Sequence, residues 1–332
     1  MLVTIQKITN SLVEATESYE VKTFKELGIT EKMIEDYIRK NIGDILEDET
    51  LLIVGQQVRN IAKGRNDLVA VDENGCLVLI EIKRDLIDIS RRTEPLEFQS
   101  IRYASSCATI KSPEELVSVM FEQYVQNNFS INDGITSAHE QALEQLLRFL
   151  ETNQALQTFN NKQRIMLFAA EYDQQALSAF AWLIDAGVDI SLYTITPYEA
   201  EKNENILLDI VKILPLGNSE DFYVSLVPSN IKPESRISRR IKPKMPQLMK
   251  WGIIKKDDTL SIKGRTSSEA TIVSDKEVSY QGNKMKYNEW GQKVTGWSTI
   301  NIYEWALLEK EGQTLTLAEW REKKIEEENQ NS

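Results

Sequence analysis

Apolar and polar positions along the chain fall into stretches of two periods, and these predict the order of the elements. Leu77-Val78-Leu79-Ile80 is apolar on both faces of an extended chain, which marks a strand in the middle of a sheet. A second extended run, from Asp67 to Val71, precedes it, and Asp72-Glu73-Asn74-Gly75 between them is a hairpin signal. Upstream, Leu51 to Val54 or beyond predicts another strand. Before that, Met33, Ile34, Tyr37 and Ile38 recur at helical spacing behind Thr30, a good helix cap. Met1 to Gln6 reads as a short strand, and the acidic stretch that follows to Glu20 has no clear period. Past Arg84 and Asp85 the chain is polar until Pro95, after which LEFQSIRYASSCATI reads as a helix. Gln99 and Tyr103 are four apart and share a face of it, with Ile101 and Ala104 on a different, core-like side.

Pro113 to Leu150 is amphipathic at helical period, with no chemical cluster. The strand Arg164–Ala170, the helix QQALSAFAWLIDAG ending at Gly187 and the strand Ile190–Thr196 make a βαβ unit, and Ile206–Leu214 closes the body. The expected fold is therefore α/β, a mixed sheet with helices packed on it. Pro228, Pro233, Pro243 and Pro246 then fall in a basic stretch that reads as a hinge. From Met245 to about Lys323, short β-like runs and Trp290, Trp297 and Trp305 predict a small α+β domain. Those aromatics, set among lysines, are the core of a small domain more often than a surface for stacking on bases. The expected boundaries are a body over 1–228, with a core at about 30–110 and the βαβ extension at about 160–215. A linker over 229–246, a domain over 247–323 and a helical tail over 324–332 complete the chain.

Composition narrows the chemistry. The chain has 332 residues, of which 41% are hydrophobic and 27% charged, enough for two or three domains. No apolar run approaches the roughly 18 residues of a membrane span, and the N-terminus lacks the order of a signal peptide, so a cytoplasmic location is expected. Cys76 and Cys107 offer neither a disulfide framework nor a zinc cluster. The single histidine, His139, sits in the ordinary amphipathic helix SAHEQALEQLLRFL, which leaves no material for a Ser-His-Asp triad or a histidine-rich metal site. The net charge of −12 hides an asymmetry. Ile231 to Trp297 carries 15 lysines and arginines against 7 acids, a balance of +8 that leaves the remainder at −20. A basic module on an acidic body points to a polyanionic partner.

The candidate chemistry lies where the central strand ends. Alternation puts Glu81 and Lys83 on one side of it, and charge at the end of a buried strand is costly unless compensated. Asp67 and Glu81, with the backbone carbonyl of Ile82, offer hard oxygen ligands of the kind Mg²⁺ or Mn²⁺ prefers. A metal held there would stabilise a scissile phosphate and activate a water, and Lys83 could orient that water. The blander reading is a structural ion pair, Glu81 with Lys83 or Asp67 with Arg65. For Glu35 the blander reading is a solvated helix carboxylate.

Glu35 in IEDYI, Gly64-Arg65-Asn66-Asp67-Leu68, LVLIEIKRD, and Gln99 with Tyr103 in FQSIRYAS together resemble the PD-(D/E)xK nuclease superfamily, specifically its NucS-type endonucleases. The similarity runs on through NKQRIMLFAAEYD, FAWLIDAGVDISLYTITPY and KILP, over roughly 1–228. One departure is Asn66 in place of the usual proline before Asp67. The resemblance implies a restriction-endonuclease-like fold, with Asp67 and Glu81 as metal ligands and Lys83 as the catalytic lysine. It also implies a further acidic role for Glu35 and a helper role for Gln99. LMKWGII, KEVSYQGNKMKYNEWGQKVTG and the tryptophan-rich end resemble the RAMA domain found with restriction enzymes and adenine methylases, which implies DNA recognition. The expected function is a Mg²⁺- or Mn²⁺-dependent DNA endonuclease in restriction, defence or repair. Arg65, Arg84, Tyr103, Arg239, Arg240, Lys242, Lys284 and Lys286 are the candidate nucleic-acid contacts. A homodimer is possible because two strands need two sites. The alternatives are a non-catalytic DNA-binding or sensing protein that keeps the fold, and a nuclease directed at RNA.

Overall fold

The structure, a computed structural model, describes residues 2–8, 11–59, 65–84, 96–130, 137–200, 205–215 and 242–330. Strand β1 (Leu2–Ile8) pairs antiparallel with β2 (Ser11–Val21), so the acidic stretch without a clear period is a strand. Helix α1 (Glu31–Ile45) starts where expected, with the Thr30 hydroxyl accepting the Met33 N–H at 3.3 Å. Only part of its apolar set is inward: Ile34, Ile38 and Ile42 are buried, whereas Met33 and Tyr37 are exposed.

Strand β3 (Leu51–Arg59) continues well past its apolar run into Gln56 and Gln57. It pairs antiparallel with β4 (Arg65–Asp72), with a register shift between Ile53 and Gly55, and β4 pairs antiparallel with β5 (Leu77–Lys83). The hairpin between β4 and β5 is closed by the Asp72 carboxylate, which accepts the N–H groups of Asn74 at 3.0 Å and Cys76 at 2.8 Å. Gly75 sits there at φ +79, and a Cβ on it would meet the Ala155 carbonyl at 2.9 Å, so both conformation and space call for glycine. Helix α2 (Leu96–Cys107) buries Leu96, Ser100, Tyr103 and Cys107. Those positions define one stripe, and Ile101 falls off it and is exposed, contrary to its expected core side.

Helix α3 (Pro113–Leu116), a π-helical turn (Val117–Phe121) and α4 (Glu122–Asn128) follow one another without a break. Helix α5 (Ala138–Thr152) packs on them, and His139 is the half-buried helix residue expected, its Nδ1 3.0 Å from Glu122 Oε2. Strand β6 (Gln163–Ala169), helix α6 (Gln174–Asp185) and strand β7 (Asp189–Ala200) form the βαβ unit, with β5, β6 and β7 parallel. Strand β8 (Ile206–Leu214) returns antiparallel on β7. The sheet order is β1-β2-β7-β6-β5-β4-β3 with β8 also on β7, a large mixed sheet flanked by helices. Arg164 ties its elements together, reaching Glu49 and Asp72 at 3.1 Å and Asp189 at 3.2 Å.

Residues 216–241, with Arg239, Arg240 and most of the proline-rich stretch, lie outside the described set. The boundary expected at 246/247 falls inside helix α7 (Met245–Lys250), whose first turn holds Pro246. Strands β9 (Thr259–Ile262), β10 (Ala270–Ile272), β11 (Glu277–Tyr280) and β12 (Asn283–Lys286) precede helices α8 (Tyr287–Thr295) and α9 (Ile302–Trp305). Strands β13 (Ala306–Lys310) and β14 (Gln313–Thr316) and helix α10 (Leu317–Gln330) end the unit. Its six-stranded sheet is antiparallel, in the order β12-β11-β10-β9-β13-β14. Trp290 is fully buried and donates its indole N–H to Ser268 O at 2.9 Å, Trp297 is buried and Trp305 half-buried, so the tryptophans are core.

This unit is seated on the body. Leu51 exchanges backbone bonds with Ser298 and Thr299, and the Ser298 hydroxyl accepts the Ile53 N–H at 2.8 Å. The two hydrophobic cores run together as one cluster, with Trp297 edge-on to Phe149 of α5 at 5.2 Å between ring centroids. Among the described residues no helix is long and apolar enough to cross a membrane.

Candidate metal and active site

The antiparallel ladder between β4 and β5 ends at Leu68–Ile80. One residue further, the Asp67 carboxylate takes over from a backbone carbonyl, its Oδ2 accepting the Ile82 N–H at 2.9 Å. This fixes Asp67 beside the end of β5, where alternation turns Glu81 and Lys83 to the same side. The Lys83 ammonium contacts Glu81 Oε1, lies 3.0 Å from the Ile82 carbonyl and 3.7 Å from Asp67 Oδ2. Asp67, Glu81 and Lys83 are 5%, 2% and 3% exposed. Three oxygens from three residues thus surround one cation in a nearly dry place, where each charge depends on the others.

Glu35 reaches the same place from α1. It is 1% exposed, which overturns its reading as a solvated helix carboxylate. Gln56 donates to its Oε1 at 2.7 Å and Gln57 to its Oε2, and the Gln57 amide lies 3.4 Å from Asp67 Oδ1. Gln57 therefore bridges two carboxylates, from a backbone at φ +54, unusual for a side chain of its size. Burial, with the nearby Asp67 charge adding to it, raises the Glu35 carboxyl above its ordinary value, and the glutamine amides offset only part of this.

Helix α2 supplies the opposite wall. The Gln99 amide donates to Glu81 Oε1 at 3.0 Å and lies 3.2 Å from the Tyr103 hydroxyl, so the two do share a face. That hydroxyl also accepts the Arg65 N–H at 3.2 Å, which braces the start of β4. Tyr103 is buried in this role and presents no ring face for a base.

The remaining candidates are dispersed. Arg65 is exposed, and Arg84 turns inward to the Ile29 carbonyl at 3.5 Å. Lys242 and Lys284 are exposed on the C-terminal unit. Lys286 is paired with Asp44 at 2.7 Å, and Lys244 with Glu47, so part of the module's positive charge complements the end of α1 and the turn after it on the acidic body. Residues that sequence reasoning missed are Gln56 and Gln57. Their signal was two adjacent amides continuing a strand after Gly55, where an exposed strand end would equally explain them.

The donor set suits a hard divalent cation, since its oxygens come from carboxylates and a carbonyl and the ammonium already stands among them. Among the described residues, however, no three acidic, histidine or cysteine side chains form a ready cation cage. The Glu35 oxygens are engaged by amides, and Lys83 fills the space between Asp67 and Glu81.

The raised Glu35 carboxyl has a consequence for stability. A group whose folded pKa exceeds its unfolded one favours the fold only when protonated, so its cost is absent at low pH and grows as pH rises through that window. Glu35→Gln is expected to gain stability relative to the wild type as pH rises to 7 in chelator, against a fixed cost where its amide nitrogen meets a Gln56 or Gln57 donor. That gain should disappear as pH falls toward the ordinary carboxyl value of 4.5, measured by thermal unfolding across pH. A stability difference between variant and wild type that does not change with pH would refute the assigned cause.

The chain matches no family model and no curated protein with which it was compared.

Proposed function

We propose that the protein is a Mg²⁺- or Mn²⁺-dependent DNA endonuclease with a restriction-endonuclease-like PD-(D/E)xK body, serving restriction, defence or repair. One observation carries the reading: Asp67, Glu81 and the Ile82 carbonyl converge on a single buried cation at the end of β5. Those three would hold the metal, which when bound supplies charge stabilisation at the scissile phosphate and a water of lowered pKa. Lys83, adjacent to the same oxygens, orients the attacking water and meets the charge that develops on the phosphate. Gln57 keeps Glu35 and Asp67 in register with each other, and Gln99 holds Glu81. Lys242 and Lys284 of the basic unit contact the DNA backbone, in the manner expected of a RAMA-like module.

The purified full chain is expected to cut DNA in Mn²⁺ or Mg²⁺ and not in chelator. Asp67→Ala and Glu81→Ala should each lower the rate by at least a hundredfold while DNA binding persists. Unaltered cleavage in both variants would end this assignment. The second reading, a DNA-binding or sensing protein that retains the fold, is favoured by the way Lys83 closes the centre. It predicts salt-dependent DNA binding with no heat of Mn²⁺ binding and no cleavage.

A further inference from the structure

We propose that Arg265 and Arg148 form a phosphate-binding site across the seam between the two units. The site goes beyond the nuclease reading and stands without it, because the candidate reacting centre uses neither residue. Arg265 lies in the short loop between β9 and β10, and that loop is firmly held. Its N–H donates to the Ile262 carbonyl at 3.0 Å, and its carbonyl accepts the Ser268 hydroxyl at 3.0 Å. Ser268 is fully buried, where its hydroxyl also accepts the Ile262 N–H at 3.0 Å and its carbonyl accepts the Trp290 indole N–H. From this base the guanidinium lies over the Trp297 ring, 5.9 Å from the centroid. Trp297 meets Phe149 of α5, so Arg265 reaches the seam where the next residue of that helix, Arg148, comes from the body.

What sets Arg265 apart is the lack of a counter-charge. Its Nη2 is buried and has no hydrogen-bond partner. The Nε atoms of Arg39 and Arg164 are also buried without a hydrogen bond, but each has a carboxylate near it, at 3.8 and 3.2 Å. Among the described residues no carboxylate stands so to Arg265, and the charge that bears on it is the like charge of Arg148. Burial, with Arg148 adding to it, lowers this guanidinium below its ordinary value. Arg148 is itself loosely engaged, with Glu144 at 2.8 Å in an exposed pair one helical turn apart, a kind of contact worth little. Two like charges, one of them partly desolvated and unanswered, are a cost that an anion between them would remove.

The donors decide the class of anion. A guanidinium offers its N–H groups as a rigid planar fork that matches an oxyanion, and the Trp297 ring beneath it limits how that fork turns. A carboxylate has two oxygens in one plane, and one fork occupies both. A phosphate spreads its oxygens tetrahedrally, so it accepts one guanidinium from each unit at once. The phosphate belongs either to the DNA backbone or to a free ligand. In both cases it ties the C-terminal unit to the body, since one arginine comes from each.

The test uses the full chain in chelator and two readouts. In the first, inorganic phosphate replaces chloride at constant ionic strength, and the wild-type melting temperature should rise by about 2 °C as the site fills. Arg265→Met, which keeps the stem over Trp297, and Arg148→Gln, at an exposed position, should each lose that rise. Arg265→Met should melt no lower than the wild type in chloride, because the charge it removes is unanswered. In the second, a labelled DNA duplex is titrated by fluorescence anisotropy across salt. A backbone phosphate held by both arginines predicts that the slope of log K against log salt falls by about 0.9 in either variant and by no more in the double variant. An unchanged slope together with a lost melting shift assigns the site to a free phosphate ligand. A phosphate-induced rise that both variants keep overturns the proposal, and so does a wild type without the rise whose variants also keep its slope. Cleavage in Mn²⁺ is scored separately, so the site and the nuclease reading fail independently.

Discussion

Lys83→Met is expected to unfold several degrees below the wild type in chelator and to recover much of that loss in Mn²⁺. The ammonium contacts Glu81 and lies 3.7 Å from Asp67, both almost fully buried, and methionine keeps its length while removing its charge. Leaving a buried charge without its partner costs roughly 3–5 kcal/mol. A divalent ion held by the same oxygens would restore the lost charge, and saturation at about a hundred times its dissociation constant stabilises a protein by about 2.7 kcal/mol. Calorimetric or fluorescence melts with and without Mn²⁺ measure both quantities. Cleavage should still fall by roughly a hundredfold to a thousandfold, the usual cost of losing a group that meets developing charge. A melt of Lys83→Met that Mn²⁺ leaves unmoved would show that these oxygens do not take a metal.

Trp297→Ala is expected to cost about 3–5 kcal/mol, the range for deleting a buried tryptophan. The ring meets Phe149 of the body at 5.2 Å and Trp305 of its own unit at 5.0 Å, both edge-on. It also closes the seam where the two cores join, beside the Ser298 and Thr299 contacts with Leu51. The wild type, with one continuous core, should melt in a single transition. The variant should separate into two, which differential scanning calorimetry resolves. Two transitions in the wild type would mean that the seam adds little.

Much of the site was legible because it depends on local periods. Alternation alone put Glu81 and Lys83 together, and the hairpin signal at Asp72-Glu73-Asn74-Gly75 brought Asp67 beside them. Helical spacing likewise set Gln99 and Tyr103 on one face. Glu35 was harder, because its burial is decided by Gln56 and Gln57 from a strand 21 and 22 residues away in sequence. The strand Ser11–Val21 escaped for the same reason: its pairing is with β1 and with Tyr198–Ala200 of β7, and nothing in its own composition marks it. The seating of the C-terminal unit was not visible at all. It depends on details such as Gly43, where the missing side chain makes room for Asn288 and Gln292 to lie against α1.

The contact between Leu51 and the C-terminal unit has a practical consequence. Strand β3 is the outermost member of its sheet, and a bare outer strand is a template onto which another chain can add by backbone pairing. Ser298 and Thr299 cover the first residues of that strand. Shortening the chain ahead of Met245 would uncover them, and would loosen the strand that presents Gln56 and Gln57 only a few residues further on. Self-association or lost activity in such a fragment would then report the uncovered strand as much as the loss of the proposed DNA-reading unit. Point changes at Lys242 and Lys284, which leave the cover in place, separate the two.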